Sequence, residues 1–141
     1  MDEAGKIAEK LEQLGRFSGF LRRNRAITRP DLERDYELRS AIERNLQLAL
    51  ECSLEIGEII IAHEGLRKPE TYREVIEILG EHGILPKPFA KRFAKAAGLR
   101  NILVHQYADL DLGLLVRLLK KDVGDFDRYA RHVARFAAKK K

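Results

Sequence analysis

Apolar residues recur at three- and four-residue steps along most of this 141-residue chain, and that spacing limits the fold more than any other feature. It is the spacing of side chains on one face of an α-helix, where successive residues are about 100° apart. No segment alternates apolar and polar residues over enough positions to indicate a β-strand. The sequence therefore predicts an all-α protein, a bundle of about five helices.

The boundaries of the predicted helices follow from caps and helix-breaking residues. Pro30 suits the first turn of the long second helix, and Gly83 ends the short acidic third helix. Either Asp109 or Asp111 can cap the fifth helix. The predicted helices span about 2–23, 30–60, 71–81, 89–107 and 112–133.

A chain of this length with 45% hydrophobic residues supports one core, so residues 1–136 are predicted to form a single domain, followed by a basic tail at 137–141. No apolar run has the length of a membrane span, and the first residues lack the pattern of a signal peptide. We therefore expect a cytoplasmic protein without membrane contact. Cys52, the only cysteine, is expected to be a small buried hydrophobic residue.

The positive charges are unevenly spread over a chain with 27 Lys and Arg against 22 Asp and Glu. Residues 13–30 contain five arginines and no acid, and a second basic cluster comprises Lys87, Lys91, Arg92 and Lys95. Such clusters are either ordinary solvated helix faces or a surface that binds the phosphates of nucleic acid. The composition alone leaves both interpretations open.

The most informative segment is Arg100-Asn101-Ile102-Leu103-Val104-His105-Gln106-Tyr107, which places Arg, His and Tyr at a fixed spacing within an otherwise apolar stretch. On a helix, Arg100 would lie on the same apolar stripe as Phe93 and Tyr107. A buried guanidinium is costly unless it is paired, so this position requires either a carboxylate of the fold or an anionic ligand in a cleft.

Each of these residues also has a structural interpretation. Arg100 can pair with Glu43 or Glu51, while His105 and Tyr107 can simply be core residues with satisfied polar atoms. Asn45, on the buried stripe of the second helix, can be a structural hydrogen-bonding residue or can line a cleft. The histidines His63, His82 and His132 lack the spacing of a zinc site, and we expect no metal and no cofactor.

The chain resembles the HEPN domain, and within it the HepT-like group once called DUF86. The segment from Arg100 to Tyr107 fits the Arg-x4-His-x-Tyr motif of that group. The stretch from Glu43 to Glu51 resembles the start of the long second helix of the family. Gly83-Ile84-Leu85-Pro86 before the motif and Asp109-Leu110-Asp111 after it add to the similarity.

The resemblance implies a HEPN-like helical bundle that dimerises, and a metal-independent endoribonuclease toxin of a toxin–antitoxin pair. It makes Arg100 and His105 the catalytic pair, with Asn101 as the polar residue after the arginine. It makes Tyr107 the acceptor of AMP from a minimal nucleotidyltransferase, the antitoxin that silences RNA cleavage. The alternative is a non-catalytic HEPN module that binds nucleotide or RNA and serves as the partner of a nucleotidyltransferase.

The motif residues suit cleavage of RNA through its own 2′-hydroxyl. A neutral imidazole with an ordinary pKa of about 6.5 can accept the hydroxyl proton, and a guanidinium can bind two phosphate oxygens at once. Arg100 and His105 would project about 140° apart on one helix. Both reach one phosphate if Arg100 extends or if two helices of a dimer share the site.

Overall fold

The computed structural model describes residues 2–98 and 111–140. These residues form seven α-helices and no strand, which confirms the all-α prediction and corrects the expected number of about five helices. The helices are α1 (Glu3–Arg23), α2 (Arg29–Arg34), α3 (Tyr36–His63), α4 (Tyr72–Glu81), α5 (Lys87–Ala97), α6 (Leu112–Lys121) and α7 (Gly124–Lys139).

Helices α1 and α3 pack antiparallel along most of their length. Glu3 at the start of α1 lies against His63 at the end of α3, and Lys10 pairs with Glu55 further along. The α1 stripe of Ile7, Leu14 and Leu21 is buried in the core, as its seven-residue spacing, two turns of a helix, predicts. The long helix α3 contacts α1, α2, α4, α5 and α7, so it is the centre of the domain.

The predicted long second helix is interrupted at Asp35, which divides it into α2 and α3. Asp35 has an extended backbone (φ −123°, ψ 91°), and its side chain accepts a hydrogen bond from Leu38 N over 3.0 Å. An aspartate in this position satisfies backbone donors that a new helix leaves unpaired, so it starts a helix instead of continuing one. Pro30 does lie in the first turn of α2, as predicted, behind a reciprocal cap between Thr28 and Asp31.

The predicted fifth helix is also divided, at Asp122 and Val123. The backbone N–H groups of both residues bond to the carbonyl of Leu118, over 2.9 and 3.2 Å, which closes α6. Helix α7 then begins at Gly124, with Asp125 and Asp127 in its first turn, where carboxylates are favoured by the helix dipole. It continues to Lys139, into the segment that was predicted to be a basic tail.

Helices α4 and α5 form a tight hairpin. Thr71 caps α4 by accepting a hydrogen bond from Glu74 N over 3.1 Å, and Gly83 reverses the chain after it with φ of 73°. A Cβ atom on Gly80 would lie 2.5 Å from that of Ala90, so the two helices approach closely only because residue 80 is glycine. Helix α5 ends at Ala97 with Gly98 as its C-cap, and the part of the predicted fourth helix beyond Gly98 lies outside the described residues.

The core is continuous between the helices, and it contains Cys52. The Cys52 side chain is buried, as predicted, and its thiol donates a hydrogen bond to the Lys10 carbonyl over 3.1 Å. Burial raises the pKa of this thiol to about 11. None of the helices in the described ranges combines the length and the apolar character needed to cross a membrane.

Candidate functional site

The predicted site residues Arg100, Asn101, His105 and Tyr107 lie outside the described residues, which adjoin this segment on both sides. The chain enters it after Gly98, at the end of α5, and leaves it at Asp111. The Asp111 side chain accepts a hydrogen bond from Gly113 N over 2.8 Å and so caps α6. The structure therefore defines the helices that flank the motif, and the roles of the motif residues stay predictions.

Helix α5, which precedes the motif, is held on the core by aromatic rings. The ring of Phe93 stacks on Phe89 at 5.3 Å and on Tyr129 at 4.9 Å between centroids, and it meets Phe126 edge to face at 5.8 Å. Such contacts add to the stability gained from burying the rings. Because Phe126 and Tyr129 belong to α7, the rings join α5 to the last helix of the chain.

A line of polar side chains runs along α3 at four-residue steps: Arg39, Glu43, Gln47 and Glu51. Arg39 Nε donates to Glu43 Oε1 over 2.9 Å, and Gln47 Nε2 donates to Glu51 Oε1 over 3.1 Å. Glu43 and Gln47 are 7% and 6% exposed, which is unusual for residues of their type. Burying polar side chains is costly unless they are hydrogen-bonded, and the bonds within this line supply partners for Glu43 and Gln47.

Glu43 and Glu51 are the carboxylates that the sequence offered as partners for Arg100. Glu43 is paired with Arg39 from its own helix, a partner that the sequence analysis did not consider. An arginine four residues before a glutamate on a helix is the signal that could have revealed it. A contact of either carboxylate with Arg100 falls outside the described residues.

Asn45 has a structural role in its own helix. Its side-chain amide donates to the Ala41 carbonyl over 2.8 Å, and the residue is half-buried. This bond favours the structural interpretation over a cleft-lining role, because the amide donor is used within α3.

The two basic clusters differ in their electrostatic surroundings. In the stretch 13–30, Arg22 pairs with Asp127 of α7, Arg29 Nε lies 3.0 Å from Glu33 Oε1, and Arg16 Nη1 lies 3.9 Å from Glu12 Oε1. Three of the five arginines are thus paired with carboxylates, consistent with solvated helix faces, while Arg23 and Arg25 form no ion pair with another described residue. In the second cluster, by contrast, only Arg92 forms an ion pair with another residue of the described ranges.

Arg92 is held by Asp125, a buried carboxylate that the sequence analysis did not identify. Arg92 donates from Nε and Nη2 to the two Asp125 oxygens, each over 3.0 Å, and Arg128 Nη1 donates to Asp125 Oδ1 over 2.7 Å. The hydrogen bond to Asp125 raises the pKa of Arg92. Asp125 is only 5% exposed, so the two arginines supply the compensation that a buried carboxylate needs.

The described histidines have separate environments. His63 pairs with Glu3, and the ring of His132 lies 5.3 Å from that of Phe89. Partial burial, with Arg135 and Arg131 nearby, lowers the pKa of His132. Within residues 2–98 and 111–140, no three His, Cys, Asp or Glu side chains are grouped so that they could hold a metal ion.

Comparison with known proteins identifies relatives over most of the chain. The family model described as "Ribonuclease HepT-like" matches residues 7–133. The tRNA nuclease HepT of Aphanizomenon flos-aquae is 30% identical over 127 residues, which are 90% of this chain and 86% of that protein. The mRNA nuclease HepT of Shewanella oneidensis is 28% identical over 97 residues, 69% of this chain and 73% of that protein.

A solved structure has the same fold. The tri-AMPylated HEPN toxin of Shewanella oneidensis, in complex with an MNT antitoxin, superposes with a TM-score of 0.83 at 23% identity. The match covers 96% of this chain and 99% of that one. At this identity the likeness establishes the arrangement of the helices.

Proposed function

Because the chain belongs to the HepT-like ribonuclease family, we propose that it is an endoribonuclease toxin that cleaves RNA without a metal ion. The observation that carries the proposal is the family match over residues 7–133, which includes an Arg-x4-His-x-Tyr motif at Arg100, His105 and Tyr107. The related nucleases named for mRNA and tRNA support RNA as the substrate class.

In the proposed reaction, His105 removes the proton of a ribose 2′-hydroxyl, and the resulting oxygen attacks the adjacent phosphorus. Arg100 binds the non-bridging oxygens and stabilises the charge that develops on them, while Asn101 orients the same phosphate. The bond from phosphorus to the 5′-oxygen breaks, and that oxygen takes a proton from a protonated His105 of a second protomer. The products are a 2′,3′-cyclic phosphate and a 5′-hydroxyl.

The proposed reaction depends on a homodimer, because Arg100 and His105 of one helix project about 140° apart. Two motif helices facing each other across a cleft would place an arginine and two histidines around one phosphate. Light scattering tests this step: a protein that is monomeric at micromolar concentration and still cleaves RNA would contradict the shared site.

The experiment that tests the function is cleavage of a mixed RNA pool by the purified protein, with and without EDTA. We expect cleavage in both, loss of cleavage in Arg100→Ala and His105→Ala, and 2′,3′-cyclic phosphate ends. Arg25→Ala and His63→Ala are matched controls, because both residues lie on exposed positions of the described chain. Full cleavage by His105→Ala would refute the assignment.

We also infer that a minimal nucleotidyltransferase is the antitoxin and that it transfers AMP to the Tyr107 hydroxyl. The related toxin solved as an AMPylated complex with an MNT antitoxin supports this partner. A phosphate attached to Tyr107 would compete with RNA for Arg100. Mass spectrometry after co-expression should find AMP on the wild type and none at this position in Tyr107→Phe, while AMP confined to other residues would contradict the inference.

A further inference from the structure

Two shallow grooves meet at Lys87, at the start of α5. One lies between α4 and α5, has a volume of about 360 Å³, and extends from Lys87 to Lys95. The other, about 460 Å³, extends from Lys87 to α7 and is lined by His132, Arg135 and Lys139. Both are lined by Gly80, Glu81 and Lys87, so they form one continuous depression.

Three lysines of α5 follow the first groove in a regular row. Lys87, Lys91 and Lys95 are spaced by four residues, so they lie on one face of the helix and rise by about 6 Å at each step. All three are exposed, and none forms an ion pair within the ranges that the structure describes. The spacing is comparable to that of successive phosphates along a single strand of nucleic acid.

The charges of the combined grooves are strongly unbalanced. Glu81 forms an ion pair with Arg67, whose Nη2 lies 2.8 Å from Glu81 Oε1. The negative charge of Glu81 is therefore balanced by a residue that does not line the grooves. Glu77 is the other carboxylate in the lining. The cationic residues that line the grooves are Arg73, Lys87, Lys91, Lys95, Arg135 and Lys139.

The second groove also contains aromatic surface. His132 and Phe136 both line it, and both are half-buried. Aromatic rings beside cationic side chains are typical of surfaces that bind single-stranded nucleic acid, because bases stack on the rings while the cations bind the backbone. An acidic protein partner would have no comparable use for the rings, so the combination favours RNA.

We propose that Lys95, Lys91 and Lys87 form a track for the RNA backbone that runs along α5 into the groove with Arg135 and Lys139. Lys95 lies in the last turn of α5, the end from which the chain continues into the motif, and stands five positions before Arg100 in the sequence. The inference rests on the proposed function in taking RNA as the ligand. It adds that single-stranded RNA beyond the cleaved bond is bound along α5, and not by the arginines of residues 13–30.

The test measures binding of single-stranded RNA by fluorescence anisotropy across a range of salt concentrations, in the His105→Ala background so that the RNA stays intact. The triple variant Lys87→Ala, Lys91→Ala, Lys95→Ala should bind at least tenfold more weakly at low salt. The slope of log K against log salt concentration should be less negative by about 2 for this variant, since each of the three lost phosphate contacts on a single strand contributes about 0.7 to the slope.

The matched control replaces three exposed cations elsewhere with alanine: Lys6, Arg25 and Lys68. It should bind RNA nearly as tightly as its parent. Circular dichroism should show both triple variants folded, because alanine favours helix and removing the lysines relieves like-charge repulsion along α5.

The outcomes separate this inference from the proposed function. If the wild type cleaves RNA but the track variant binds it as tightly as the control does, the track is refuted and the ribonuclease assignment stands. If the wild type fails to cleave RNA and binding still depends on the track, the inference stands alone. If the track variant binds RNA as its parent does but no longer binds a polyglutamate probe, the surface is assigned to an acidic protein and the proposal is overturned.

Discussion

Tyr129 of α7 donates a hydrogen bond from its hydroxyl to the backbone carbonyl of Ser53 in α3 over 2.7 Å, deep in the core. The same ring stacks on Phe93 of α5. One side chain thus connects the central helix, the last helix and the helix that precedes the motif. Burial raises the pKa of the Tyr129 phenol, so the hydroxyl stays protonated as the donor that this arrangement requires.

Replacing Tyr129 with Phe should lower the free energy of unfolding by about 1 kcal/mol, because the ring keeps its packing while one buried hydrogen bond is lost. Urea denaturation monitored by circular dichroism measures this change. The pKa is raised in the folded state, so the stabilising effect of the neutral phenol holds below about pH 10 and is lost as the pH rises further. The wild type should therefore lose more stability than Tyr129→Phe above pH 10, and equal losses would contradict the buried phenol.

Cys52 should be inert in the native protein. Its raised pKa, about 11, leaves almost no thiolate at pH 8, and the side chain is 4% exposed. A thiol reagent should label it slowly at pH 8 and rapidly in denaturant. Because the folded-state pKa is raised, the thiol stabilises the fold below its unfolded pKa, and this contribution is lost as the pH approaches 11. Rapid labelling of the folded chain at pH 8 would contradict this environment.

Two glycines should respond in opposite ways to alanine. A Cβ atom at Gly57 would lie 2.5 Å from Val75 Cγ1 across the α3–α4 contact, so Gly57→Ala should destabilise the protein by about 1–3 kcal/mol. Gly15 has nothing within 4 Å of that position on the exposed side of α1, so Gly15→Ala should stabilise the protein by up to about 1 kcal/mol. Thermal denaturation of the pair provides the comparison, and the same sign of change in both would contradict the packing.

Asp125→Asn should destabilise the fold by about 1–3 kcal/mol, because charged hydrogen bonds to Arg92 and Arg128 are lost in a buried position. Glu33→Gln removes an exposed ion pair with Arg29 and should change stability by less than about 0.5 kcal/mol. Chemical denaturation measures both effects. The coupling between Arg92 and Asp125 is measured by comparing the single variants Asp125→Asn and Arg92→Gln with the double variant that combines them. Additive effects in the double variant would show that the pair contributes nothing jointly.

Arg100→Lys should cleave RNA at least tenfold more slowly than the wild type, although it keeps a positive charge. An ammonium group cannot donate two parallel hydrogen bonds to a phosphate as a guanidinium does. Single-turnover cleavage measures the chemical step, and anisotropy measures RNA affinity, which should change less. Wild-type cleavage by Arg100→Lys would mean that Arg100 acts only as a charge.

Local pattern in the sequence was sufficient to predict much of the helical architecture. The α1 stripe, the helix that starts near residue 71 and the turn at Gly83 all depend on conformations that neighbouring residues specify, and the apolar character of Cys52 correctly indicated its burial. The motif from Arg100 to Tyr107 was found in the same way, and the family match covers it, while its residue roles stay predictions.

The tertiary structure decided what the local pattern leaves open. Periodicity continues across Asp35 and across Asp122, so only the competing caps and the packing of the flanking helices show that the chain turns there. Likewise, Arg92 and the neighbouring lysines look alike in the sequence, yet Asp125 binds Arg92 from 33 positions away and leaves Lys87, Lys91 and Lys95 facing the groove. Sequence fixes which residues can form a helix or carry a charge, whereas pairing across the fold depends on distances that exist only once the helices have packed.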